Sequence, residues 1–240
     1  MEQIKFRIKV WDDTRIKAQQ FYEPPNSIRY KDPLIKNANI KLYSIYKTNL
    51  SVICKDTIDC TLELQDSGLN PVLLNMANAF VPGGGVYMGA SAQEENIFRR
   101  TNYFKTLKHK PDFYPLLNNS GIYSKDVTVF KNSEEKKYTD LESKRSISLI
   151  ALASIDCRTE QFDPILQEKK IDMIFNIALY HGHDSLVLSA FGCGAFKCDP
   201  VQVSHIFKKV IDKYNGCFKN ITFAILHSDN NLNVFKNTII

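Results

Sequence analysis

The chain has 240 residues, 44% of them hydrophobic and 24% charged, with a formal net charge of +5. That balance excludes an apolar-poor disordered chain and a Gly/Pro-rich fibrous one. It is enough to bury a sizeable core, as one large domain or as a domain with an appendage.

The excess charge is uneven: residues 1–50 carry ten Lys/Arg against five Asp/Glu, and the remainder is neutral. A basic layer of this kind faces either an anionic partner or plain solvent. The longest uncharged apolar run, Ser185 to Phe196, is shorter than the ~20 residues of a membrane-spanning helix. The start, Met1-Glu2-Gln3-Ile4-Lys5, lacks the basic-then-apolar form of a secretory signal. Six cysteines (Cys54, Cys60, Cys157, Cys193, Cys198, Cys217) are too scattered for a disulfide framework and read as reduced thiols. These features point to a cytoplasmic monomer away from membranes, with the nucleus left open.

In chain order, Ile4, Ile8, Trp11 and Ile16 recur at near-helical spacing before the breakers Pro24-Pro25 and Asp32-Pro33, which predicts a small helical appendage over 1–38. From residue 39 onward short β-rich runs alternate with helical patterns. Strands are predicted at Ile40–Tyr46, Leu50–Cys54, Pro71–Met76, Ile122–Phe130, Ser146–Ser154, Ser185–Phe191 and Ile221–His227. Helices are predicted at Ile58–Gln65, Gln93–Leu107, Pro164–Tyr180 and Val201–Tyr214, and the charged run Lys131–Lys144 reads as an exposed loop. Strands alternating with helices imply an α/β domain over 39–240 with a largely parallel sheet sandwiched between helices.

Three segments follow predicted strands at their C-terminal ends, where open α/β sheets place ligands. The first runs from Leu74 through Asn78 to Pro82-Gly83-Gly84-Gly85-Val86 and on to Gln93-Glu94-Glu95. Consecutive glycines let backbone approach a ligand and present N–H groups to an anion, so a phosphate loop is expected. It is neither a Walker loop nor a dinucleotide fingerprint. Adjacent acids at a helix start favour the helix dipole; beside a phosphorylated sugar, a carboxylic acid can also protonate a glycosidic oxygen and then activate water. The second segment, Ser189 to Phe196, places Gly192-Cys193-Gly194 before a helix, as a further backbone-donor loop suited to a diphosphate. Cys193 reads as a small filler rather than a nucleophile. The third, Val52 to Asp59, ends a strand with acids able to accept from an adenine amine.

Gly83-Gly84-Gly85, seven residues, then Gln93-Glu94-Glu95 resembles the poly(ADP-ribose) glycohydrolase signature, and Ser189–Phe196 resembles the second phosphate loop of macrodomains. The chain is most similar to the compact, microbial-type enzymes over residues 40–235, and the resemblance implies a macrodomain-like fold. It implies Glu95 as the general acid, Glu94 holding ribose hydroxyls and Asn78 binding the distal ribose. Gly83, Gly84, Gly85 and Val86 would cradle the diphosphate opposite Gly192, Cys193, Gly194, Ala195 and Phe196. Gln93 belongs to the same substrate site, Asp56 would contact adenine and Phe235 would pack against a ribose. Ala153-Ser154 departs from the Ala-Pro step of such relatives. The substrate implied is poly(ADP-ribose) or ADP-ribosylated protein and the product ADP-ribose, with no cofactor and no specific nucleic-acid partner. A non-hydrolysing ADP-ribose reader and a mono-ADP-ribosyl hydrolase are the alternatives. His181-Gly182-His183 with Cys193 and Cys198 fits no structural-zinc spacing, so no metal is expected.

Overall fold

The computed structural model describes residues 1–21, 27–107 and 111–240. Helix α1 (Glu2–Lys17) opens the chain as expected, but Val10, Trp11 and Thr14 form its buried stripe, while Ile4 and Ile16 are 48% and 66% exposed. Trp11 meets Phe104 edge-on at 5.2 Å and Phe98 at 6.2 Å. Thr14 Oγ1 donates to the Arg99 carbonyl at 2.5 Å. The predicted Pro24-Pro25 break lies outside the described residues. A short edge strand follows, β1 (Ile28–Tyr30), and then a single turn, α2 (Asn37–Ile40), that runs into a 3-10 turn ending at Tyr43. The strand expected at Ile40–Tyr46 therefore does not form: Leu42 and Ile45 are 76% and 72% exposed, so their alternation marks no sheet face.

The remaining elements are β2 (Asn49–Ile53), α3 (Thr57–Asp66), β3 (Pro71–Met76), α4 (Gln93–Arg100), α5 (Tyr103–Leu107), β4 (Gly121–Lys131), β5 (Asp140–Leu152), α6 (Pro164–Tyr180), β6 (Ser185–Leu188), α7 (Pro200–Lys213), β7 (Asn220–Ala224) and α8 (Asp229–Ile239). The expected helix Gln93–Leu107 is split because Thr101 bridges to Val129 and Asn102 exchanges hydrogen bonds with Thr128 of β4. The run expected as an exposed loop, 131–144, is instead the end of β4, a hairpin turn over 132–139 and the first five residues of β5. Lys131, buried at its base, pairs with Asp13. Its Glu134 and Asp140 bind Arg7 and Lys17 of α1, so part of the N-terminal basic excess is neutralised within the fold.

The seven strands form one sheet in the order β1-β4-β5-β3-β6-β7-β2. Pairs β5–β3, β3–β6, β6–β7 and β7–β2 are parallel, and β1–β4 and β4–β5 are antiparallel. Five parallel strands thus end on one edge. One face packs under α6, α7 and α8, the other under α1, α3 and α4. No helix among the described residues is long and apolar enough to cross a membrane.

Helix α8 places Phe235 in the first of these cores, fully buried, with ring centroids 5.4 Å from Phe223 and 6.0 Å from Phe207. This corrects the expectation that Phe235 packs against a ribose: its ring closes the core beneath β7 and is sealed from solvent. Phe235→Ala should lower unfolding free energy by about 3–5 kcal/mol, as large-to-small core changes do, read from the urea midpoint.

Candidate active site

A cavity of about 870 Å³ opens at the C-terminal edge of the parallel strands, within the size range of ligand pockets. Every parallel strand contributes: Asp56 after β2, Met76 and Ala77 at the end of β3, Ser154 after β5, the loop 189–197 after β6, and Ile225 to Ser228 after β7. Gln3 and Arg7 of α1 and the turn at Glu134 face it from above.

The first expected loop is built differently from a phosphate cradle. The Gly83 N–H donates to Glu94 Oε1 at 3.1 Å and the Gly85 N–H to Glu95 Oε1 at 3.0 Å. The Gly84 and Val86 N–H groups donate to the carbonyls of Val81 and Gly83, both at 3.0 Å. All four amides are therefore taken up inside the protein, two of them by the protein's own carboxylates. Gly84 has φ +50°, and a Cβ there would stand 2.7 Å from Glu95 Oε1, so only glycine lets the loop close this tightly over the acid.

Gln93 anchors the assembly. Its Oε1 accepts from the Met76 N–H at 2.9 Å, and its Nε2 donates to the Leu74 carbonyl at 2.7 Å. This ties the first turn of α4 to the end of β3, and Gln93 serves as a positioning residue. Glu94, buried, also accepts from the Asn78 N–H at 2.7 Å and from Asn75 at 3.4 Å. Burial pushes its carboxyl up to about 8, although these donors favour the charged form. Glu95 keeps one oxygen without a partner: Oε2 is buried and unbonded. Gln93 and Asn96 line the cavity, whereas Glu94 and Glu95 lie just behind that wall, beneath the glycine loop.

Asp56 faces the cavity but is already committed. It caps α3 by accepting from the N–H groups of Ile58 and Asp59, bonds Asn96 at 2.5 Å and pairs with the buried Arg100 at 2.6 Å. Arg100 also binds Asp59 and the Lys131 carbonyl. The expected adenine contact would have to share these oxygens. Asn78 likewise turns from the main cavity: its Oδ1 accepts from the N–H groups of Phe80 and Val81, and it lines a smaller cavity next door.

The second loop is arranged differently from the first. Gly192, Cys193, Gly194, Ala195 and Phe196 all line the large cavity. The N–H groups of Gly194, Ala195 and Phe196 have no partner among the described residues, which leaves a nest of amides for an anion. The helix behind it is not the anion site, because Asp199 caps α7 and accepts from the Val201 N–H. Burial holds the Cys193 thiol well above its ordinary range, so no thiolate nucleophile is available there. Gly192, at φ +83°, would bring a Cβ within 2.2 Å of Ser154 Oγ.

Sequence reasoning missed Asn75, Asn96 and Arg100, and the whole 225–231 rim, and marked Ser154 only as a departure from the Ala-Pro step. The rim follows a strand that was recognised, so the rule that ligands gather at strand C-termini would have reached it. The histidines of His181-Gly182-His183 sit elsewhere: His181 stacks on Tyr123 at 3.6 Å, and His183 bonds the Tyr123 hydroxyl at 2.9 Å. Among the described residues, no group of three or more His, Cys, Asp or Glu is placed to hold a metal.

The raised Glu94 carboxyl makes a measurable link to stability. The folded chain keeps a proton that the unfolded chain releases near 4.5, so stability should fall as pH climbs from about 4.5 through about 8. Glu94→Gln should flatten that slope in chemical denaturation series across this window.

A family profile described as microbial-type PARG, catalytic domain, matches residues 2–132. Among solved structures, poly(ADP-ribose) glycohydrolase from Thermomonospora curvata bound to the inhibitor ADP-HPD superposes with TM-score 0.82 at 23% identity, over 96% of this chain and 98% of that one. Poly(ADP-ribose) glycohydrolase from Deinococcus radiodurans in complex with ADP-ribose superposes with TM-score 0.77 at 22% identity, over 94% and 96%. These likenesses establish the shared fold. No curated protein matches the sequence. With the glycine loop and the Gln93-Glu94-Glu95 turn both inside the matched span, the chain belongs to the microbial-type PARG catalytic-domain family and is a glycosidase.

Proposed function

We propose that the protein hydrolyses the ribose–ribose bonds of poly(ADP-ribose) and releases ADP-ribose, with Glu95 as the general acid. The observation that carries this reading is the unequal state of the two Glu95 oxygens: Oε1 is fixed by the Gly85 N–H, and Oε2 is buried without a partner. A buried, unsatisfied carboxyl oxygen is costly unless a ligand completes it. Here the missing partner is the bridging oxygen of the substrate. Glu95 gives its proton to that oxygen as the bond to the distal ribose C1″ breaks. The resulting carboxylate then takes a proton from the water that adds to C1″, which restores the acid.

The free amides of Gly194 to Phe196 would hold the diphosphate, so it is gripped from one side rather than two. Adenine would lie toward Asp56, and the distal ribose toward Glu94 and Glu95. Residues 39–240 would carry this machinery, and Gln3 and Arg7 of α1 would add to the roof of the cleft. Glu94 would meet ribose hydroxyls through the lone pairs its backbone donors leave free.

Incubation with poly(ADP-ribose) of defined length should release ADP-ribose, whereas tight binding without turnover would make the protein a reader. Glu95→Gln should lower turnover by about 10²–10⁴-fold while ADP-ribose affinity stays within a few-fold, since the transferable proton is lost and the loop amides remain. Near-normal turnover in that variant would refute the assignment of the acid. Saturating ADP-ribose should also raise the melting temperature, because the free amides exist only in the folded state.

A further inference from the structure

The basic excess of the leading residues is only partly absorbed by the fold. Arg7 and Lys17 pair with Glu134 and Asp140, but residues 33–55 contain lysines and no acid. Of these, Lys55 pairs with Glu63. Lys36, Lys41 and Lys47 are exposed and form no ion pair among the described residues. The same stretch leaves three large apolar side chains open within four residues: Leu42, Tyr43 and Ile45 are 76%, 42% and 72% exposed. Apolar side chains grouped in this way and rimmed by charge mark an interaction surface.

The turn that carries them is held firmly. Ser44 Oγ donates to the Asn215 carbonyl at 2.8 Å, and Thr48 Oγ1 to the Phe218 carbonyl at 2.8 Å. The N–H groups of Ile45 and Tyr46 donate to the Gly216 carbonyl at 3.0 and 2.9 Å. Ile40, 2% exposed, roots one end of the turn in the core. Leu42 and Ile45 are thus presented on an ordered backbone, which lowers the entropy cost of docking through them. The turn leads into β2 and is bonded to the residues just before β7, so it lies at the N-terminal edge of the parallel strands. The large cavity opens at the opposite edge, and a partner seated on the turn leaves the cleft uncovered.

The charge pattern selects the occupant. A second copy of the chain would set lysines against lysines. A nucleic acid would match the lysines but leave Leu42 and Ile45 unused, and the Tyr46 ring already carries the Lys219 ammonium at 5.5 Å. An anionic lipid surface suits all three kinds of side chain: lysines meet acidic headgroups, tyrosines sit at headgroup level and aliphatic side chains enter the acyl boundary. We propose that the turn 41–47, with Lys36 beside it, docks the protein reversibly on an anionic membrane surface with its cleft facing away. This departs from the expectation of a chain away from membranes, which rested on the lack of a spanning run and of a secretory start; a protein can also lie on a membrane without crossing it.

The test is co-sedimentation of the full chain with phosphatidylserine-rich vesicles, set against vesicles of phosphatidylcholine alone. The protein should partition onto the first far more than onto the second, and added salt should release it. Lys41→Gln combined with Lys47→Gln should lower the partition coefficient by about 25-fold, about fivefold for each lysine near an anionic surface. Leu42→Ser combined with Ile45→Ser should lower it by about tenfold or more, through the apolar area no longer withdrawn from water. All four side chains are exposed, so both variants should keep the melting temperature of the parent, which separates lost docking from lost fold. A parent chain that stays in the supernatant with phosphatidylserine-rich vesicles would overturn the proposal, as would sedimentation that neither pair of substitutions changes. Loss in the lysine variant alone would also overturn it, and would make these lysines a site for a soluble polyanion.

Discussion

The site depends on two carboxylates accepting hydrogen bonds from the backbone of the loop that covers them. Glu94 receives the N–H groups of Asn78 and Gly83, and Glu95 that of Gly85. An acid carried on α4 is thereby locked to a loop that leaves β3, and Gln93 fastens the same helix turn to the strand itself. The geometry of the acid is set by main-chain groups of a central strand rather than by a mobile surface side chain. Rigid placement of this kind is what proton transfer to a developing leaving group requires.

Around that lock the protein divides labour between its two glycine loops. The loop after β3 directs its amides inward, to the carboxyl groups of Glu94 and Glu95 and to its own carbonyls. The loop after β6 leaves its amides open to the cavity. Backbone N–H groups are thus satisfied within the protein in one loop and left available to an anion in the other. The buried Arg100, joined to Asp56 and Asp59, ties the end of β2 and the start of α3 to α4.

Much of this was legible in the sequence, and the failures have physical causes. Pro71–Met76 and Pro164–Tyr180 fall on their predicted bounds, because a fully buried strand and a helix opened by Asp-Pro carry strong local signals. Helix α8 is absent from the predicted elements, although Ser228 caps it and Phe235 anchors it in the core. The glycines and Gln93-Glu94-Glu95 were recognised as one unit. What spacing could not reveal was the direction of the amides, which depends on φ at Gly83 and Gly84. Asp56 shows the same limit: an acid capping the next helix is visible in sequence, while Asn96 and Arg100, the two donors from α4 that also occupy it, are brought there only by folding.

Helix α1 bears on how far this fold can be trimmed. Its Trp11 fills the core beside Phe98 and Phe104, its Thr14 bonds the backbone of α4, and its Gln3 and Arg7 form part of the cleft's upper wall. A shortened chain beginning at Asn39 would leave that aromatic cluster facing water and unroof the cleft above the cavity. Evolution could vary the solvent face of this helix freely, but deletion of the helix would remove contacts made directly to the segment that carries the acid. The smallest unit able to hold the site is therefore close to the full length of the chain, and the leading residues count as an integral wall of the fold.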